Sequence, residues 1–384
     1  MKNNLKSVLP TPDNAAIAHS NQLKQSIIDQ INHNGGAISF EQFMHDALYT
    51  KGLGYYSSEL RKFGETGDFV TAPEISPLFS RCLAHQCVQL FEKGDILEFG
   101  AGSGEMALRI LTELQSLNAL PQHYFIIEVS ENLKQRQQEK LQDFLSQVVW
   151  LDQLPERFEG VVLANEVLDA MPVRKFQIGE TNEILEYFVT TKNDQFEWIL
   201  KPADESLETA VKNLNIDFPP HYSSEINIFI SGWLKNISEM LMKGVVLLID
   251  YGFPQKEYYH LQRDRGTLMC HYRHYAHDDP FFYVGLQDIT AHVDFTAVAK
   301  GAEQAGFNVL GYTSQGDFLL QGGLLQLITN FEELPLQQRL KFAQQMKQLT
   351  LPHEMGELFK VIGLSKNISI QLPAFKNNRS FVLY

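Results

Sequence analysis

The sequence predicts an α/β fold: a mostly parallel sheet with helices on both faces, a helical region before it and insertions within it. Three observations lead there. From Asp95 onward, short apolar runs alternate with stretches of helical spacing, which is the pattern of strand–helix–strand units. A glycine-rich turn, Gly100-Ala-Gly102-Ser-Gly104, follows the first apolar run. Acidic residues close nearly every run: Glu128, Asp152, Glu166 and Asp250. Open sheets of this kind bind ligands beyond the carboxyl ends of their strands.

The elements follow in order. Ile27, Ile28 and Ile31 share one helical face, and Asn34-Gly-Gly36 ends that helix. Ser39 caps a helix that starts at Phe40. Leu78 to Phe91 is a further amphipathic helix. Between them, Gly52 to Glu74 is rich in Gly, Tyr and Phe without periodicity, and a long aromatic loop in a compact protein is more often functional than not. Strands are expected at Ile96–Phe99, Tyr124–Ile127, Val148–Leu151, Val161–Ala164 and Val245–Ile249, with helices from Met106 to Leu117 and from Glu131 to about Leu145. Ile184–Thr190 and Phe196–Leu200, joined by Lys192-Asn-Asp-Gln195, read as an inserted hairpin. Leu207–Ile216 and Ile226–Met242 read as helices, and the chain closes with a helix at Phe295–Ala305, a strand at Phe307–Tyr312, a helix at Glu332–Leu349 and a strand at Phe359–Leu364. The organisation expected is a helical region with an aromatic lid loop over 1–93, a core over 94–175 and 243–384, an insertion over 176–242, and a lid or partner insertion over 251–290 within the core.

Composition excludes several classes. The 384 residues hold 46 acidic and 32 basic side chains, a net charge of -14. With 44% hydrophobic and 20% charged residues, the chain has an ordinary globular composition, not that of a disordered one. The acidity argues against nucleic acid as a partner, because phosphate contacts need Lys and Arg. Three cysteines, Cys82, Cys87 and Cys270, make no disulfide framework and suit a reducing compartment. No apolar run approaches the roughly 20 residues of a membrane span. Met1 to Pro10 lacks the features of a signal or transit peptide, so a cytoplasmic location is expected.

The glycine turn has two readings. The dinucleotide fingerprint needs a third glycine one place later, where this chain has Glu105, and a carboxylate there would repel a pyrophosphate. Gly100, Gly102 and Gly104 with Glu98 two places before them resemble instead the first motif of class I S-adenosylmethionine-dependent methyltransferases. That cofactor carries a carboxylate, an ammonium and a sulfonium, which suits backbone amides beside acids. Glu128 then stands where a carboxylate takes the ribose hydroxyls, and Asp152 where that fold contacts the adenine amine. The alternative is a turn that only tightens strand–helix packing.

More motifs narrow the resemblance. Gly54-Tyr-Tyr56, Gly67-Asp-Phe-Val-Thr-Ala-Pro-Glu-Ile-Ser76, Asn165-Glu-Val-Leu-Asp-Ala-Met-Pro172, Ile249-Asp-Tyr-Gly252, Arg265-Gly-Thr-Leu268, His277-Asp-Asp-Pro280, Asp288-Ile-Thr-Ala-His-Val-Asp-Phe-Thr296, Gly311-Tyr-Thr-Ser-Gln-Gly316 and Met355-Gly-Glu-Leu-Phe-Lys-Val361 occur in that order. The chain resembles the MidA family over about Ile27 to Asn367. The resemblance implies a class I (Rossmann-like) methyltransferase core with a helical N-terminal region and insertions, and S-adenosylmethionine as cofactor. The family's mitochondrial member is a protein arginine methyltransferase that assists assembly of respiratory complex I. A protein substrate with an arginine acceptor, a complex I subunit among the candidates, is therefore what the resemblance implies.

Arginine methylation needs carboxylates that hold the guanidinium fork and localise the lone pair on the attacking nitrogen. Glu166 resembles the first acid of the arginine methyltransferases' paired-glutamate loop, while the spacing of the second lands on Lys175, leaving Asp169 as the nearest carboxylate. Both acids could equally cap the loop before Pro172 or pair with Arg174. Asn165, Thr71 and Glu74 are candidates for the cofactor side. Tyr55, Tyr56, Asp68, Phe69, His277, Asp278 and His292 are candidates for a lid and the substrate side, with plain packing as the competing role. His271-x-x-His274-x-x-His277 would spread three rings across a helix rather than stack them, so no metal site is expected. Two other functions remain open: a methyltransferase for a small amine or other acceptor, and an assembly chaperone that binds the cofactor without essential catalysis.

Overall fold

The structure is a computed structural model that describes residues 9–58, 71–90, 94–328 and 331–384. It divides into two compact units, each built from separated stretches of chain. One draws on Met1–Phe69, Asp169–Phe229 and Lys256–His292, the other on Val70–Leu168, Ile230–Gln255 and Val293–Tyr384. The stretch 1–93, read from sequence as one region, thus contributes to both.

In the first unit, helix α1 (Asn14–His33) begins where the Asp13 carboxylate accepts the Ala16 N–H at 2.8 Å. It ends at Asn34, before Gly35 and Gly36, both with positive φ. Ile27, Ile28 and Ile31 are buried, as their spacing predicts. Helix α2 (Phe40–Tyr49) is capped by the Ser39 hydroxyl, which accepts the Gln42 N–H at 3.2 Å. Phe40, Phe43 and Met44 join these isoleucines with Val189 and Phe196 in one apolar cluster. An antiparallel sheet supplies the latter two residues. Its strands are Ile38–Ser39, Arg174–Ile178, Ile184–Lys192, Gln195–Pro202 and Ser223–Ile226. The expected hairpin pairs Lys192 with Gln195 across a two-residue loop, with Asn193 and Asp194 at φ 49° and 57°. Both in the left-handed region is the geometry of a type I′ turn.

Three strands of this sheet have no counterpart in the sequence reading, the two-residue Ile38–Ser39 and two longer ones. Arg174–Ile178 opens on two cations, which hide its character. Ser223–Ile226 takes Ile226, expected at the start of a helix that begins only at Ile230. The three-histidine run also differs from expectation. It is a hairpin, Met269–Tyr272 with Tyr275–His277, whose turn places Arg273 and His274 at φ 48° and 66°. Nothing in an Arg-His pair signals such a turn, which favours Asn and Gly.

The second unit holds the large sheet. Its strands are β1 (Asp95–Phe99), β2 (Tyr124–Ile127), β3 (Val148–Leu151), β4 (Phe158–Asn165), β5 (Leu241–Phe253), β6 (Asn308–Ser314) and β7 (Phe359–Lys366). They lie in the order β6-β7-β5-β4-β1-β2-β3, and Val293–Asp294 adds a short parallel pairing to the end of β5. All neighbours are parallel except β7, which is antiparallel to both β5 and β6. Val161, Val162, Leu163 and Val245 to Leu248 are buried, as expected of strands covered on both faces. Helices α3 (Pro77–Leu90) and α4 (Glu105–Ser116) bury Leu78, Phe79, Leu83, Met106, Ile110 and Leu114 in one cluster with Val161, Leu163, Val245 and Leu247 of the sheet. From β1 the chain runs outward through β2 to β3, then returns to place β4 on the other side of β1. That reversal between β1 and β4 opens a crevice at their carboxyl ends, the position where such sheets take ligands. No described helix is long and apolar enough to cross a membrane.

Candidate functional site

Register brings the two key loops together. Phe99 at the end of β1 pairs with Ala164 of β4, and Asn165 pairs with Ile249 of β5. The glycine turn and the Asn165–Leu168 loop therefore leave adjacent strands at the reversal point.

The glycine turn is built from left-handed backbone. Gly100, Gly102 and Gly104 have φ of 61°, 53° and 78°, values that an L side chain adopts only with strain. Gly104 is the residue before α4 and offers no side-chain cap, so the first amides of the helix face outward. A Cβ on Gly104 would already meet Gln137 at 3.4 Å. Ser103 donates to Glu74, and Lys140 reaches the same hydroxyl at 3.5 Å. Glu74 is thus brought to the turn, although the sequence places it 29 residues away. Thr71 stands just before the short helix Ala72–Ile75 that carries Glu74. Glu105 is held by Arg109 at 2.7 Å and Lys140 at 2.8 Å; its carboxyl lies below the ordinary value, burial opposing and these two cations prevailing.

Glu98 is 1% exposed and accepts the Tyr124 hydroxyl at 2.6 Å. Burial pushes its carboxyl up to about 7; Glu128 adds to the rise and Tyr124 opposes it. Glu128, just beyond β2, accepts the Ser130 N–H at 2.9 Å and the Gln137 amide at 3.0 Å. Gln137 lies on α5 (Glu131–Lys140), is fully buried, and also donates to the Gly102 carbonyl at 3.0 Å. Asp152, beyond β3, is exposed and ion-paired with Lys134.

Asn165 and Glu166 are half-buried, and the Asn165 amide donates to Glu166 Oε1 at 3.1 Å. Glu166 has a φ of 54°, and its N–H donates to the Ile249 carbonyl at 2.9 Å. The buried Asp250 holds this strained loop: one carboxylate oxygen accepts the N–H groups of Val167 at 3.2 Å and Leu168 at 2.9 Å, the other that of Tyr251 at 2.9 Å. Sequence reasoning noted Asp250 as a strand-end acid but gave it no task, and passed over Gln137 altogether. Asp250 carried a signal in its position after β5. Gln137 carried none, being one glutamine in a polar helix.

The remaining candidates belong to the first unit. Asp169 is buried, and its carbonyl accepts the Ala291 N–H at 3.0 Å. Tyr55 is buried edge-on to Tyr56. Tyr56 stacks on Tyr49 and donates to Asp288 at 3.0 Å, while Tyr49 donates to the Ala170 carbonyl at 2.9 Å. Burial first, then the Asp288 and Asp169 carboxylates, push the Tyr56 hydroxyl well above its ordinary value. Asp169 and Tyr56 are therefore electrostatic neighbours. His277 is buried edge-on to Phe282, and burial holds its imidazole below the ordinary value. Asp278 is exposed; His292 is half-buried, with its N–H on the Thr267 hydroxyl at 3.1 Å. Asp68 and Phe69 lie outside the described residues. Arg174 is bidentate to Glu186 and reaches Asp204, so these acids take the part considered for Glu166 and Asp169. Lys175 is buried against Glu225.

The second unit fits S-adenosylmethionine. The left-handed glycines leave the first helix amides outward, Glu128 is buried with its oxygens on the Ser130 N–H and the Gln137 amide, and the nearby cations Lys140 and Arg109 are engaged by Glu105 rather than presented to a phosphate.

Comparison with known proteins agrees. The family model for S-adenosyl-L-methionine-dependent methyltransferases, Methyltransf_28, matches residues 80–313. A crystal structure of a Burkholderia thailandensis protein bound to S-adenosyl-homocysteine superposes with a TM-score of 0.91 at 42% identity, covering 96% of this chain and 98% of that one. The mitochondrial protein arginine methyltransferase NDUFAF7 homolog of Drosophila melanogaster is 28% identical over 375 residues, 86% of this chain and 82% of its own. Mitochondrial NDUFAF7 of Homo sapiens, also a protein arginine methyltransferase, is 26% identical over 381 residues, 89% of this chain and 83% of its own. These relatives overturn the cytoplasmic expectation, because they are mitochondrial proteins. The short N-terminal stretch on which that expectation rested was too weak a signal to place the chain.

Proposed function

Because the chain belongs to this family of S-adenosyl-L-methionine-dependent methyltransferases, we propose that it transfers the methyl group to an arginine side chain of a protein substrate. The activity of relatives that align over more than four-fifths of the chain carries this reading. A respiratory complex I subunit is the substrate the family resemblance names.

Bound S-adenosylmethionine supplies an electrophilic methyl group on a sulfonium. The chain's task is then alignment and charge placement. Amides at the start of α4 receive the cofactor's carboxylate, and Glu128 takes the ribose hydroxyls. Glu166 holds the guanidinium fork and accepts the proton that nitrogen loses as it gains carbon. Its loop cannot drift, since Asp250 and the Ile249 carbonyl fix the backbone on both sides. Lys175, committed to Glu225, supplies no second acid.

The test is transfer of labelled methyl from S-adenosylmethionine into cell extract by the purified protein, read by mass spectrometry at arginine. Glu166→Gln is expected to lose at least about 100-fold in transfer while binding S-adenosyl-homocysteine nearly as well as the unaltered chain. Label confined to small molecules would assign a small amine acceptor instead. Undiminished transfer by Glu166→Gln would remove Glu166 from the chemistry. Tight cofactor binding with no transfer into any fraction would favour the assembly chaperone.

A further inference from the structure

We propose that Gln137 is the positioning residue of the cofactor site, its amide locking the glycine turn to the ribose-side carboxylate so that both present one rigid surface. The inference rests on the reading of Glu128 as the ribose acid.

The orientation of the amide is fixed by its neighbours. Trp150 Nε1 lies 2.9 Å from Gln137 Oε1. An indole nitrogen only donates, so the amide oxygen must face it and the NH₂ must face the other way. There it meets two acceptors, the Gly102 carbonyl and Glu128 Oε2, each at 3.0 Å. Both amide hydrogens and the amide oxygen are therefore used, and the flip of the side chain is fixed by chemistry. The residue is fully buried, so water cannot replace these bonds without rearrangement.

The consequences reach both halves of the ligand. Gly102 sits in the middle of the left-handed turn, and its carbonyl is held by the Gln137 amide. Glu128 has one oxygen on the Ser130 N–H and the other on Gln137, so two donors orient its carboxylate plane. Trp150 on β3 anchors the amide itself. A single side chain of α5 thus ties together the segments following β1 and β2 and the strand β3. Preorganised groups bind without first being ordered, which is the gain such a lock supplies.

Two variants of nearly unchanged size test this. Gln137→Glu places a second carboxylate against Glu128 and the Gly102 carbonyl. Binding of S-adenosyl-homocysteine, measured by calorimetry, is expected to weaken about 10- to 100-fold at about pH 8. The deficit relative to the unaltered protein should shrink at about pH 6, as the coupled carboxyl pair takes a proton and regains a donor. Gln137→Met removes both donors without adding charge; it is expected to weaken binding about 10-fold with no such pH dependence. Equal losses at both pH values for Gln137→Glu would mark a purely structural role and overturn the proposal. Unchanged affinity in both variants would also overturn it. Glu128→Gln separates the two readings: if it binds normally the ribose assignment is wrong, and if it binds poorly while the Gln137 variants bind normally, only the lock is wrong.

Discussion

The two units treat their buried acids differently. In the unit with the large sheet, Glu98 is oriented by the Tyr124 hydroxyl, Glu128 by a backbone N–H and the Gln137 amide, and Asp250 by three backbone N–H groups. In the other unit, Glu186 is gripped by Arg174, and Glu225 by Lys175 together with the Thr267 N–H at 2.7 Å. A neutral donor aims a carboxylate without cancelling its charge, whereas a cation cancels it. Glu128 and Asp250 are aimed in this way toward a ligand or a strained loop, whereas burial raises the Glu98 carboxyl to about 7 and favours its protonated form. Acids of the second kind are spent on holding strands together.

Substitutions in either unit test the contrast. The largest effect is expected at the glycine turn. Gly102→Val forces a β-branched residue to φ 53°, and affinity for S-adenosyl-homocysteine should fall at least about 100-fold. Unchanged calorimetric binding would remove the turn from the cofactor site. In the other unit, Lys175→Met leaves Glu225 buried without its cation, and urea unfolding should show a loss of about 3–5 kcal/mol. A loss below about 1 kcal/mol would mean that Glu225 is already satisfied by Thr267, and the contrast would fade.

Next comes a pH effect. The Glu98 carboxyl lies at about 7 in the folded chain against an ordinary 4.5. Between those values the native state holds a proton that the unfolded chain has released, so stability falls as pH rises through that window. The fall amounts to roughly 3 kcal/mol at most. Glu98→Gln should flatten it in unfolding curves taken across the window, and an unaltered slope would show that Glu98 ionises without cost. The smallest effect is expected in the hairpin. Asp194→Gly relieves a left-handed aspartate at φ 57° and should raise stability by up to about 1 kcal/mol. A decrease would show that the Asp194 side chain contributes more than its backbone costs.

Much of the large sheet was legible in the sequence. Its strands are covered on both faces and so read as unbroken apolar runs, and the glycines after β1 mark a turn that other residues make only with strain. The antiparallel sheet was harder. Arg174–Ile178 conceals itself because its two cations are neutralised by Glu186 from a neighbouring strand and by Glu225 from another. The histidine run was misread because its turn uses Arg273 and His274, which pairing with Asp288–Thr290 and the hairpin register impose on residues with no taste for it.

The α/β class and the kind of cofactor could be read from the sequence, because strand burial and left-handed glycines are local demands that leave local marks. Which partner each buried acid takes is a tertiary matter. Glu98, Glu128, Glu186 and Glu225 are the same residue type, and each fate depends on a partner brought from elsewhere in the chain: a tyrosine 26 residues on, a glutamine 9 on, an arginine 12 before and a lysine 50 before. Partner choice is set by strand order and register, and those follow from the packing of the whole unit rather than from any one segment.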